Sequence, residues 1–399
     1  VVSMEKDYEY SVPKRSYKDY PSDWTVIELG NLLERVRRPV DVIPDHEYRE
    51  IGIRSHGKGL FYKEPVTGRD LGNKPVFWVE ADCLIINIIF AWEQAVGITT
   101  AREKGMIASH RFPMWWSKGN VELKYLLSFF LTQLGKYLLG LASPGGAGRN
   151  RTLGQDEFNK ILVCIPFKIK EQQRIVKILS TWEKAIELEG QLIAAKKQQK
   201  KWLMQNLLTG KKRLRGFSGE WQEAEYEAIL STVSAKKHQI NSSRYLKDGK
   251  YPVVDQGKQI VVAFSNDEEK VFICPDEGVI IFGDHTRELK YVDFNFVVGA
   301  DGTQVLTAVN NNCTRFLYYQ LSKKEIPNTG YSRHFKFIKE MSFLVPPLPE
   351  QGAIAEILST ADREIVLHEK QLEELKKLKK VLMQLLLTGI VRATCRGVS

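Results

Sequence analysis

The sequence predicts an α+β protein: two globular α/β domains separated by two long helices packed as an antiparallel coiled coil, with an internal pseudo-two-fold repeat. Three observations predict it. Glu171-Gln172 through Leu207-Leu208-Thr209-Gly210 realigns without a gap onto Glu350-Gln351 through Leu386-Leu387-Thr388-Gly389, with roughly half of the paired positions identical. Each copy carries one apolar stripe at helical spacing. Each is preceded by a longer segment of short β-branched and aromatic runs that opens on a tryptophan, Trp24 or Trp221.

In chain order, Tyr48–Ile53, Phe77–Val79 and Leu84–Phe90 read as strands and Leu123–Leu139 as a helix. The first repeated segment places Ile175, Ile178, Trp182, Ile186, Ile193, Trp202 and Leu207 on one face, interrupted by the polar run Lys196–Lys201. In the second globular segment Val261–Phe264, Val271–Cys274, Val279–Phe282 and Phe294–Val298 read as strands. The second repeated segment places Ile354, Ile357, Ala361, Ile365, Leu372, Leu375, Leu378, Leu382 and Leu385 at spacings of three and four. Pro166 and the Pro346-Pro347-Leu348-Pro349 run precede the helices, and Gly210 and Gly389 follow as C′ residues.

A helix of about 39 residues is roughly 58 Å long, too long to stand alone on a single stripe, and the other copy is the economical partner. Glu183, Glu187 and Glu189 come early in the first helix and Lys196, Lys197, Lys200 and Lys201 late. In the second, Asp362, Glu364, Glu369, Glu373 and Glu374 come early and Lys376, Lys377, Lys379 and Lys380 late. Antiparallel packing sets acidic halves against basic halves; the same asymmetry also complements each helix dipole. The expected segments are 1–165, 166–214, 215–345 and 346–399, with the globular units at opposite ends of the helical rod. Beyond the opening tryptophan the two globular segments share little sequence.

The chain has 399 residues and a formal net charge of +10, which suits a polyanionic partner. Cys83, Cys164, Cys274, Cys313 and Cys395 are odd in number and lack Cys-x-x-Cys spacing, which argues against a zinc site or disulfide framework and fits a reducing cytoplasm. Val1–Tyr20 has no apolar stretch like a signal peptide. The apolar run Cys83–Trp92 is about half the length of a membrane span.

These features together resemble the specificity subunit of Type I restriction–modification systems. The resemblance rests on Pro346-Pro347-Leu348-Pro349-Glu350-Gln351, on Pro166 with Glu171-Gln172-Gln173-Arg174, and on the paired Leu-Leu-Thr-Gly exits. Gly216-Phe217-Ser218-Gly219-Glu220-Trp221 and Trp24 with Leu29-Gly30 add to it, as do Gly283-Asp284-His285-Thr286-Arg287 and Val298-Gly299-Ala300-Asp301-Gly302-Thr303. The first copy departs from the pattern, with Phe167-Lys168-Ile169-Lys170 where Pro-Leu-Pro is expected. The resemblance implies two target-recognition domains (1–165 and 215–345), each reading half of a split DNA target, and two spacer helices (166–214 and 346–399). It implies no catalytic activity in this chain. It also implies two methyltransferase (modification) subunits and restriction subunits as partners, with S-adenosylmethionine, ATP and Mg²⁺ used by those partners, in the cytoplasm.

DNA recognition calls for cations on phosphates and Arg, Lys, Asn, Gln or His at base edges. Candidates in the first segment are Arg35, Arg37, Arg38, Arg54, His56, Lys58, Arg111, Arg149 and Arg151, the last two beside the glycine-rich loop Ser143–Gly148. Candidates in the second are Lys236, Lys237, Arg244, Gln256, Lys258, His285, Arg287, Arg333, His334 and Lys336. The Gly330–His334 loop precedes its helix by nearly the same distance as the first glycine loop, so equivalent loops are expected to face DNA. Singly, each cation also reads as a solvated surface charge. Lys196–Lys201 and Lys376–Lys380 suit either phosphate contacts or a salt-bridged helix face.

Other classes leave weaker marks. Pro275-Asp276 with Glu288-Leu289-Lys290 mimics a metal-dependent nuclease cluster, although Asp276-Glu277-Gly278 reads better as a turn. A free-standing DNA-binding regulator is a second alternative. Val345-Pro346-Pro347-Leu348 lacks the polar residue and aromatic of an amino-methyltransferase motif, and Gly145–Gly148 lacks the Lys-Ser/Thr of a phosphate cradle. His46, His110, His238 and His368 show no ligand spacing, and Trp24 and Trp221 suit a packing role.

Overall fold

The computed structural model describes residues 19–145, 151–299, 301–330 and 332–393. The two long helices span Ile169–Leu207 and Leu348–Leu387. They begin at equivalent repeat positions, so the missing Pro-Leu-Pro of the first copy leaves its start unchanged; Phe167 is exposed. The chain divides into two compact units, one comprising Val1–Leu188 with Glu373–Ser399 and the other Glu189–Leu372. Each unit therefore contains a globular part, the first half of one long helix and the last half of the other.

Within both units the helix halves run antiparallel, as the charge pattern predicts. In the first unit Lys379 pairs with Glu183. In the second, Lys196 pairs with Glu364, Lys197 with Glu369 and Lys200 with Asp362, while His368 Nδ1 meets Glu189 at 2.7 Å. The late lysines are also partly spent within their own helix, Lys376 on Glu373 and Lys377 on Glu374. The cross-helix pairs are mostly half-buried, with Lys200 21% and Glu189 10% exposed, and the pairs within one helix are exposed; both kinds fix register more than they add stability. Burial supplies the stability. Ile175 and Leu179 join Leu386 and Leu387 in the first core, and the equivalent Ile354 and Leu358 join Leu207 and Leu208 in the second.

The Glu-Gln pair that opens each helix has two jobs. Glu350, 1% exposed, accepts both arms of the Arg213 guanidinium at 2.7 and 2.6 Å. Glu171, 5% exposed, accepts Arg392 at 2.8 and 2.9 Å, and Arg392 also holds Asp23. Each arginine stands three residues beyond the glycine that ends a helix, so each helix start clasps the chain leaving the other helix. Gln172 and Gln351 face the globular part. Gln172 accepts from Glu122 N–H and donates to Pro166 O; Gln351 accepts from Cys313 N–H and donates to Pro346 O. Glu122 and Cys313 are the N-caps of the helices Leu123–Phe130 and Thr314–Lys323, so each glutamine anchors an equivalent helix. Gly210 and Gly389, at φ +67° and +72°, pack against Trp221 and Trp24, which gives both tryptophans the expected packing role.

The repeat extends into the globular parts, where the sequences share little. In the first unit Trp24–Glu28 pairs antiparallel with Leu162–Pro166, and a one-turn helix, Leu29–Leu32, leads into a four-stranded antiparallel sheet. The strand order there is Leu33–Val36, Met114–Ser117, Leu84–Ile86 and Val96–Ile98. In the second unit Gln222–Glu225 pairs with Ser342–Val345, and Tyr226–Ile229 leads into the sheet Leu230–Val233, Thr303–Ala308, Val279–Gly283 and Leu289–Val292. Strand order and directions are the same. The units differ beside that sheet. The second adds a four-stranded sheet whose central pair, Tyr251–Val254 and Phe296–Val298, is parallel. The first adds two-stranded pairs such as Ile51–Ile53 with Leu60–Tyr62.

Tyr48–Ile53 is not one strand: Glu47–Tyr48 pairs with Val66–Thr67 and Ile51–Ile53 with Leu60–Tyr62. Other expectations change as well. Leu123–Leu139 is two helices, Leu123–Phe130 and Gln133–Leu141. Thr132 Oγ1 accepts from Gly135 N–H as an N-cap, and Gly135 sits so near Phe129 and Phe130 backbone that a Cβ would fall 2.2 Å from the Phe129 carbonyl. Leu84–Phe90 is a strand only to Ile86, because Asn87 and Phe90 close turns through their backbone. Among the described residues no helix is long and apolar enough to cross a membrane.

Candidate nucleic-acid interface

The turn after the third strand of each shared sheet organises the candidate surface by the same backbone bonds. In the first unit Ile88 N–H donates to Arg111 O at 3.0 Å and Leu153 N–H to Ile88 O at 2.9 Å. In the second, Asp284 N–H donates to Gly302 O at 2.7 Å and His334 N–H to Asp284 O at 3.0 Å. Each knot ties that turn to two later approaches in its globular part: Arg111 or Gly302 precedes a strand of the sheet, and Leu153 or His334 precedes a short helix.

In the first unit this knot gathers His56, Lys58, Arg111 and Arg151. The loop between Ile53 and Leu60 docks on the turn Ala91–Glu93: His56 N–H donates to Glu93 O, Gly57 N–H to Gln94 O and Ser55 Oγ to the Glu93 carboxylate. His56, Gly57 and Gly59 all have positive φ; at Gly57 a Cβ would also lie 2.4 Å from Leu131. Arg151 lies over Trp92, its guanidinium carbon 5.8 Å from the ring. His56, Lys58, Arg111 and Arg151 are exposed. Arg149 lies outside the described residues.

The other first-unit candidates are engaged elsewhere. Arg54 folds back over Phe61 and donates to Leu60 O. Arg37 lies over Phe77, and Arg38 bridges Glu80 at 2.9 Å over Trp116. Arg35 stands opposite Trp115 on the edge strand; burial, then the charge of Arg37, lowers its pKa, which still leaves a guanidinium charged.

In the second unit Asp284, 3% exposed, ties its own turn to the segments at Gly302 and at His334-Phe335. Its carboxylate accepts from Phe335 N–H at 2.8 Å. Thr286 Oγ1 donates to Gln256 O, and His285 N–H to Gln256 Oε1. Glycines allow the approach. A Cβ on Gly283 would fall 2.1 Å from Thr286, one on Gly299 2.2 Å from Tyr245, and one on Gly302 2.8 Å from Gln256. Gln256, Lys258, His285 and Arg333 therefore come from turns joined to one another, and Lys336 follows on the short helix. Lys236 and Lys237 are exposed on a separate turn, where Lys237 O holds Lys270. Arg244 is exposed but bridged to Asp267.

One candidate in this unit is corrected, and Arg287 is partly engaged. His334 is fully buried: Nδ1–H donates to Asp284 O at 2.9 Å and Nε2 accepts from Thr329 N–H, so it braces the loop and reaches no base edge. Arg287, half-buried at φ 63°, donates to Ile326 O and holds that segment.

The nuclease-like residues have structural duties. Asp276 is exposed on the turn Pro275–Gly278, closed by a Gly278 N–H bond to Pro275 O. Lys290 is 5% exposed and its ammonium is held by Asp255 O and Gln259 O; burial lowers its pKa despite Asp255 and Glu288 nearby. Among the described residues no group of three or more His, Cys, Asp and Glu could hold a metal ion. Burial pushes the Cys83 thiol up to about 12 and that of Cys164 to about 11, far from a reactive thiolate. The residues that sequence reasoning passed over are scaffolding: Asp284, whose motif was visible but not its role, and the arginine pair, whose signal was an arginine three residues beyond each repeated glycine.

The family model described as Type I restriction modification DNA specificity domain matches residues 21–197 and 219–377. The putative type I restriction enzyme MjaX specificity subunit of Methanocaldococcus jannaschii is 24% identical over 98% of this chain and 99% of its own. The MjaVIII specificity subunit of the same organism is 22% identical, covering 93% and 94%. The fold is similar to that of the Type I restriction–modification S subunit from M. genitalium, with TM-score 0.61 and 15% identity over 91% of this chain and 96% of that one. The chain belongs to the Type I specificity-subunit family. It is the DNA-recognition component of a restriction–modification system, not its catalytic one.

Proposed function

We propose that this specificity subunit reads a split, asymmetric DNA target, one half-site through each globular unit, and docks methyltransferase (modification) and restriction subunits. The recognition domains are residues 1–165 and 215–345, and the spacer helices 166–214 and 346–399 set the half-site separation. S-adenosylmethionine, ATP and Mg²⁺ serve the partners, in the cytoplasm. One observation carries the reading: the two units share strand order, helix anchors and the backbone knot, yet present different side chains there. His56, Lys58, Arg111 and Arg151 stand on one, and Gln256, Lys258, His285 and Arg333 on the other. Matched supports with unlike surfaces suit two different half-sites.

The test is to co-express the chain with its modification subunit and map methylated bases across a host genome. Methylation at one bipartite motif, absent without this chain, is the expected result. DNA binding or cleavage by the chain alone, with no partner-dependent motif, would overturn the reading.

A further inference from the structure

We propose that Gln256 is a base-reading residue of the second unit, preset to recognise an adenine edge in its half-site; the proposal rests on the function argued above. The loop carrying Gln256 is pinned on both sides. Buried Lys290 grips Asp255 O and Gln259 O, Gly257 N–H and Tyr245 OH both bind the Asp255 carboxylate, and Thr286 Oγ1 binds Gln256 O. Burying a lysine in order to hold two carbonyls is costly for the fold alone. It makes sense where a loop must keep its shape before a partner arrives.

The side chain is oriented as well. His285 N–H donates to Gln256 Oε1 at 3.3 Å, which fixes the oxygen end of the amide, and Gly302 at φ +87° leaves room where a Cβ would fall 2.8 Å from that oxygen. A carboxamide oxygen has two lone pairs. The second can accept from adenine N6–H while Nε2 donates to N7, the bidentate pairing that a carboxamide makes in the major groove. The residue is half-exposed, and exposed Lys258 follows two positions on to meet phosphate. An unpinned glutamine would have to be ordered on binding, and this one is largely ordered beforehand.

The test maps the methylated motif in co-expression with the modification subunit, for wild type, Gln256→Ala and Gln256→Glu. Gln256→Ala should relax a single adenine position in one half-site, with discrimination there falling roughly 5- to 150-fold, and leave the other half-site intact. Gln256→Glu keeps the acceptor for His285 but loses the N7 donor, and should move preference at that position from adenine toward cytosine. If Gln256→Ala abolishes methylation, Gln256→Glu decides. A single-position change supports base reading, and an unchanged motif overturns it in favour of a bracing role for Gln256. A wild-type chain that directs no bipartite motif overturns the functional reading itself, and the proposal with it.

Discussion

Leu153 and His334 hold the same place in the two units, each donating its backbone N–H to the turn that follows the third strand of the sheet. Around that shared bond the chemistry diverges. The first unit builds the turn on apolar Ile88 and sets a hairpin loop against Ala91–Glu93; the second builds it on buried Asp284, which gathers polar turns around its carboxylate and carbonyl. The difference teaches where variation is tolerated. Backbone bonds need no particular side chain, so the knot survives with the loops around it rebuilt, whereas the Glu-Gln helix starts act through side chains and are the same in both copies.

The largest expected effect comes from erasing the difference. Replacing residues 215–345 with a copy of the first recognition segment should convert an asymmetric target to one with two like half-sites, read by genome-wide methylation mapping. Next is the frame. Leu179→Ala and Leu358→Ala remove equivalent side chains that are 2% and 0% exposed, and each should cost about 2–5 kcal/mol. Protection in hydrogen exchange should fall first in the unit that holds the substitution. Gln172→Ala and Gln351→Ala should each cost about 1–3 kcal/mol by stranding buried backbone groups, and fluorescence-monitored denaturation should rank them below the leucines.

Protonation separates the units more gently. Burial raises the pKa of Glu103 in the first unit, but hydrogen bonds from Tyr62 and Thr100 outweigh it and the net pKa is lowered. Its stabilisation is therefore full above the ordinary carboxylate value of 4.5 and is lost as pH falls through the lower folded value. Lys290 in the second unit has its pKa lowered by burial. The folded state sheds that proton before the unfolded one, so stability rises with pH from the folded value up to 10.5. Stability–pH profiles should lose the acid limb in Glu103→Gln and the alkaline limb in Lys290→Met. The smallest effect is electrostatic: Lys258→Ala should reduce the salt slope of DNA binding by the assembled complex by about 1 and leave the motif unchanged. Titration of labelled target DNA at several salt concentrations checks it.

The frame was legible because its signals are local or repeated. Helix limits, stop glycines and antiparallel charge pairing follow from residues three and four apart and from a gapless repeat. The common topology of the globular parts was not legible, because a shared strand order is carried by backbone pairing between distant segments, and short apolar runs such as Leu84–Ile86 and Val279–Gly283 do not specify which strand lies beside them. Within the candidate surface, side-chain type alone did not separate His334 from Arg333. Only burial distinguishes the histidine that braces the loop from the arginine that stands free of the core.

The clasp between Arg392 and Glu171 has a consequence for synthesis. The second unit is one continuous stretch, Glu189–Leu372, and can close on itself as soon as that stretch has left the ribosome. The first is discontinuous: Asp23 and Glu171 wait for Arg392, a partner 369 positions after Asp23. The segment translated first is thus the last to be completed, with the edge of its core uncovered until the final helix half arrives. Chaperone dependence should accordingly concentrate on the first unit, and ribosome-bound chains that end at Leu372 and carry an unstructured linker long enough to clear the ribosome should already protect the second unit from protease.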